Sequence, residues 1–100
     1  MENKATAAVS TAPIALQRVE SSQIFAIGHD ASTNTLAIRF KNRTTGRPTS
    51  LYHYANFTAE DFAAFAEAES YGSYHGKNIK PYDKKYPYVR IEDAPATAAA

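Results

Sequence analysis

The chain has 100 residues, 44% hydrophobic and 21% charged, the balance of one small soluble globular domain rather than a disordered or fibrous chain. It has no cysteine, which excludes disulfides and thiolate-bound metal, and no apolar run near the roughly 20 residues of a membrane-spanning helix. Eleven basic against ten acidic residues leave a formal charge of +1, which by itself selects no partner.

The N-terminal residues mix charge and hydroxyls into alanine without a sustained apolar stretch, so no secretory signal and a cytoplasmic location are expected. Residues 1–15 read as a flexible tail and 94–100 as a disordered Ala/Thr-rich tail, leaving 16–93 as the single foldable domain. Charge is uneven within it. It sums to −1 over residues 1–38, +4 over 39–90 and −2 over 91–100, and all seven tyrosines fall between Tyr52 and Tyr88.

Residues 19–29 are apolar, rich in β-formers and end at the turn signal Gly28-His29-Asp30. Ser21 and Ser22 read as a strand entry. Residues 35–41 alternate with period two, Leu36, Ile38 and Phe40 against Ala37 and Arg39, the pattern of a half-buried strand. A polar connection, 42–50, leads to a second strand over 51–56, with Tyr52 and Tyr54 on one face and Leu51 and His53 on the other. Thr58 is placed to cap a helix, with Asp61 at the reciprocal capping-box position and Phe57 and Phe62 at the staple positions. That helix runs through Phe62, Phe65 and Ala66 to about Tyr71-Gly72. A short helical turn over 73–80 stops before Pro81, and 86–92 alternate as an edge strand that tolerates Pro87. The expected class is α+β: an antiparallel sheet of three to four strands packed against one amphipathic helix plus a short second helical turn.

No catalytic constellation is present. His29, His53 and His75 have no ligand spacing, so no metal site or cofactor is expected. Ser21 and Ser22 have no adjacent base, Glu60, Asp61, Glu67 and Glu69 read as a solvated helix face, and the chain reads as a non-enzyme. Residues 71–90 differ. They carry Lys77, Lys80, Lys84, Lys85 and Arg90 against Asp83 alone, interleaved with five tyrosines. Cations pair with phosphates and tyrosine rings stack on bases at roughly 1–3 kcal/mol each; the same composition also edges a small core.

The runs Ser21-Ser22-Gln23-Ile24, Ala26-Ile27-Gly28-His29-Asp30, Leu36-Ala37-Ile38-Arg39-Phe40, Tyr52-His53-Tyr54, Gly72-Ser73-Tyr74 and Ile79-Lys80 resemble the KTSC domain. That small domain occurs at the C-terminus of some lysyl-tRNA synthetases and alone in bacterial and phage proteins. The resemblance covers residues 19–82 and implies the fold and, through the synthetase association, RNA as ligand class. It puts emphasis on Tyr52, Tyr54, Gly72, Tyr74, Ile79 and Lys80. This chain departs from the pattern at His29, where tyrosine is common, at His75-Gly76, where Phe-Asn is usual, and in its longer 42–50 connection.

The expected function is therefore a binding module for RNA or single-stranded nucleic acid. Tyr52, Tyr54 and Tyr74 are the expected stacking surfaces, and His75, Lys77, Asn78, Lys80 and Arg47 their polar partners. The alternatives are sequestration of a small signalling nucleotide by a phage or bacterial protein, and docking of a protein partner or a second copy of the chain. No membrane association is expected.

Overall fold

The computed structural model describes residues 9–92; the expected C-terminal tail and the first eight residues lie outside them. Five antiparallel strands pair in sequence order: β1 (Gln17–Arg18), β2 (Ile24–Asp30), β3 (Thr35–Lys41), β4 (Pro48–Tyr54) and β5 (Tyr88–Glu92). Between β4 and β5 lie helices α1 (Ala59–Ala66) and α2 (Tyr71–Asn78) and a 3-10 turn, Lys80–Tyr82.

The class is α+β as expected, but the sheet has five strands rather than three to four. The added strand, β1, is two residues long and pairs Gln17 with Ile27 and Arg18 with Ala26; so short a strand has no periodicity to read. Arg18 anchors there by placing its guanidinium 4.1 Å from the centre of the Phe25 ring. Phe25 is the extra residue of a bulge, since Ile24 pairs with Phe40 and Ala26 with Arg39. The bulge lets Ile24 and Ile27, three apart, both enter the core. Ser21 ends the preceding segment, its hydroxyl accepting from the Gln23 and Ile24 amides.

The 42–50 connection is shorter than its composition indicates. Asn42 Oδ1 accepts from the Thr44 and Thr45 amides at 2.8 and 2.9 Å, the Asn42 carbonyl accepts from the Gly46 amide, and Gly46 takes φ +75°. This side-chain turn closes the hairpin early, so β4 begins at Pro48 and pairs with Lys41. It ends at Tyr54 rather than Asn56, because Asn56 adopts a left-handed conformation, φ 62°.

Thr58 and Asp61 form the expected reciprocal capping box, each amide bonded to the other side chain at 3.1 Å. The helix they start stops at Ala66, short of Tyr71, and the expected second turn is a full eight-residue helix. Local propensity favours continuation through the Ala-Glu run. Packing breaks it: Phe65 is fully buried and meets Tyr71 edge-on and Tyr74 at a tilt, and the Tyr71 hydroxyl donates to the Ala66 carbonyl. Ser70 then caps α2 by accepting from the Ser73 amide. Pro81 does not end helical structure but stands inside the 3-10 turn, in its first turn where no amide donor is required.

Leu36, Ile38, Ile27, Tyr54 and the two helices enclose the core with Phe57, Phe65, Ile79 and Tyr86. His29 joins sheet to helix, its ring stacked at 5.1 Å on Phe62 and its Nε2–H donating to the Phe57 carbonyl at 2.6 Å. The opposite sheet face presents Ala26, Gly28, Ala37 and His53, all buried. The stretch assigned by composition to the N-terminal tail reaches it. His53 Nδ1–H donates to the Ser10 carbonyl at 2.7 Å, and a Cβ on Gly28 would overlap the Ala15 carbonyl oxygen. Here glycine is required by the approach of a second backbone.

Candidate functional site

Cross-strand register gathers the aromatic residues. Tyr54 pairs with Leu36 on one side and Tyr88 on the other, and Tyr52 pairs with Ile38 and Arg90. All therefore point to the helix-bearing face. On this face Tyr52 and Tyr54 stack at 6.4 Å, and Tyr88 lies 5.8 Å from each. Phe40, continuing the Leu36–Ile38 row, presents an edge to Tyr52 at 5.7 Å and to His75 at 5.2 Å.

These rings floor an open cleft of about 640 Å³, within the usual range for small-ligand sites. Helix α2 supplies one wall through Gly72, His75 and Gly76, and the 3-10 turn another through Lys80 and Asp83; Gln23, Thr49 and Ser50 complete the rim. Gly76 is exposed, and a Cβ there would touch nothing within 4 Å. Its lack of a side chain leaves helix backbone open to the cleft. Gly72 differs, since a Cβ would crowd the Gln23 amide at 3.3 Å.

His75 joins floor and wall. Its Nε2 shares a 3.0 Å hydrogen bond with the Tyr54 hydroxyl. Burial, with the Lys80 ammonium as a lesser cause, pushes the imidazole down from 6.5 to about 4. At neutral pH it is uncharged, so it offers hydrogen bonding and a flat ring rather than a cation. The Tyr54 hydroxyl is pushed well above its ordinary value by burial, then by Tyr52 and Tyr88, and stays protonated. Among the described residues, Lys80 is the cation lining the cleft and Asp83 the carboxylate.

Of the residues expected to bind ligand, Tyr52, Tyr54, His75 and Lys80 line this cleft. The others do not. Tyr74 is half-buried against Phe65, ring centres 5.3 Å apart, and serves packing. Lys77 and Asn78 are exposed in the last turn of α2, and Arg47 is exposed in the β3–β4 connection. Sequence reasoning missed Phe40, Tyr88, Asp83 and the Gln23–Thr49–Ser50 rim. Phe40 and Tyr88 had a readable signal, their alternation in β3 and β5; the register placing them beside Tyr52 did not. Among the described residues no group of three or more His, Asp or Glu is placed to hold a metal ion, and no helix is long and apolar enough to cross a membrane.

Comparison with solved structures finds a KTSC domain protein from Yersinia pestis. It is 26% identical, superposes with a TM-score of 0.66, and covers 80% of this chain and 100% of its own. No curated protein matches. The KTSC domain profile matches residues 20–86, a stretch holding β2 to β4, both helices and every residue expected to contact ligand, although Tyr88 of the cleft floor lies beyond it. With two-thirds of its length matched and its fold shared with that solved relative, the chain belongs to the KTSC domain family.

Proposed function

We propose that the chain is a non-enzymatic binding module whose aromatic cleft receives a nucleotide unit of single-stranded RNA. The observation that carries this reading is the convergence of Tyr52, Tyr54, Tyr88, Phe40 and the neutral His75 ring on one open cleft beside Lys80. Flat π-faces take a base, and the ammonium takes its phosphate. No nucleophile–base pair accompanies them, since the neutral His75 is engaged with a tyrosine whose hydroxyl holds its proton. Among the described residues Lys80 is the one cation lining the cleft, rather than a row tracking a polymer backbone, which also favours a second reading in which the ligand is a free nucleotide signalling molecule.

Both readings share a chemistry, and one experiment separates them. Fluorescence anisotropy with labelled single-stranded oligoribonucleotides, competed by free mononucleotides, gives affinity, site size and salt dependence. Lys80 alone predicts a log–log salt slope near −0.7, with each flanking cation engaged adding the same amount. Tyr52→Ala should weaken binding by about 1–3 kcal/mol. Tighter binding to oligomers supports the RNA reading, and full competition by mononucleotides the free-ligand reading. Absence of binding to either at about 100 mM salt, where nonspecific affinities already reach the micromolar range, refutes both.

A further inference from the structure

Resting on the nucleotide reading above, we infer that Asp83 accepts a hydrogen bond from the ribose 2′-hydroxyl and makes the cleft select ribose over deoxyribose. Lys80 opens the 3-10 turn, and Asp83 prolongs it in the right-handed helical region, φ −65° and ψ −19°. At three residues per turn, side chains three apart eclipse, so Lys80 and Asp83 leave the same side of the turn with backbone origins about 6 Å apart along its axis. Both line the cleft. Both can therefore meet one nucleotide, the ammonium at its 5′-phosphate and the carboxylate at its sugar.

The turn is rigid before any ligand arrives. Pro81 fixes the backbone between the two residues. The turn hangs from buried Ile79, whose carbonyl accepts from the Tyr82 amide at 3.0 Å, and is continued by the Tyr86 amide donating to the Tyr82 carbonyl at 2.8 Å. Asp83 itself is exposed and makes no hydrogen bond or ion pair among the described residues, with Lys80 included. The fold does not use it. A carboxylate facing an anion-binding cleft repels a phosphate and weakens binding, unless the ligand turns donors toward it. The ribose 2′-hydroxyl, free in a strand as well as in a lone nucleotide, does this, giving a charge-assisted hydrogen bond, and carboxylates read ribose in this way in dinucleotide-binding folds. Deoxyribose lacks this donor, so the discrimination falls on the 2′-hydroxyl, the group by which proteins tell RNA from DNA.

The test is anisotropy with labelled ribo- and deoxyribo-octamers of one sequence, uracil retained in both so that only the 2′-hydroxyls differ. The ribo-oligomer should bind about tenfold more tightly, the ratio expected for one hydrogen bond to a charged group. Asp83→Ala should bring its affinity down to that of the deoxy-oligomer while leaving the latter unchanged or improved, and Asp83→Asn should retain part of the preference. An unaltered melting temperature in both variants verifies that the fold is intact. Equal affinity for the two sugars, or a ribose preference that survives Asp83→Ala, overturns this inference and leaves the nucleotide reading standing. Failure of both oligomers to bind overturns the RNA reading and this inference together.

Discussion

Acidification should unfold this protein partly through one imidazole. His75 is half-buried between Phe40 and Tyr54, and its burial lowers it to about 4, whereas the unfolded chain holds it near 6.5. Below 6.5 the unfolded state takes up a proton that the folded state resists, so stability is full above that value and is lost as pH falls toward 4. At about 1.4 kcal/mol per pH unit the full difference is about 3 kcal/mol. Partial exposure of the ring screens this, and about 1–2 kcal/mol is the expected loss. Urea unfolding at a series of pH values from 7 to 4.5, on wild type and His75→Phe, isolates the contribution. Phenylalanine keeps a ring against Phe40 but does not titrate; it lowers absolute stability by stranding the Tyr54 hydroxyl, yet its loss on acidification should be smaller than that of wild type by that amount. An NMR titration placing His75 near 6.5, or parallel pH profiles for the two proteins, would refute the reasoning.

Three further outcomes follow from packing. Phe65→Ala, at 0% exposure, should cost roughly 3–5 kcal/mol by thermal or urea unfolding; the half-buried Phe62 should cost clearly less, and equal losses would contradict the assigned helix face. Thr58→Ala removes the acceptor for the Asp61 amide and should destabilise by about 1 kcal/mol, with no change meaning that the capping box contributes nothing. Gly28→Ala drives a methyl group into the Ala15 carbonyl. It should cost about 1–3 kcal/mol as overpacking and raise proteolytic cleavage within residues 9–16, and unchanged cleavage would place that segment off the sheet.

The α1 start was legible because Thr58, Asp61 and the flanking phenylalanines act within a few residues of one another. β3 was legible in full because Leu36, Ile38 and Phe40 face the core while Ala37 and Arg39 face away, and period two has no competing reading. The end of α1 was not, because it is set by Phe65 needing to meet Tyr71 and Tyr74. β1 escaped notice because two residues carry no period. The bulge at Phe25 hid the relation of Ile24 to Ile27, which are in phase only once a residue is looped out. Half of the expected ligand residues line the cleft and half do not: a list of tyrosines and lysines says which chemistry is present, and the register decides which side chains share it.

Local and periodic information in the chain determined the fold class, the capped helix, the central strand and the concentration of aromatic and basic residues after residue 50. Tertiary structure alone decided that Tyr74 packs against Phe65 while Phe40 and Tyr88 stand beside Tyr52 and Tyr54, that His75 is uncharged at neutral pH, and that Asp83 faces the same cleft as Lys80. The physical reason is common to all of these. Hydrogen-bonded register, burial and desolvation depend on residues far apart in the chain, and the +1 total charge of the sequence averages over the cation and carboxylate that the fold sets one turn apart.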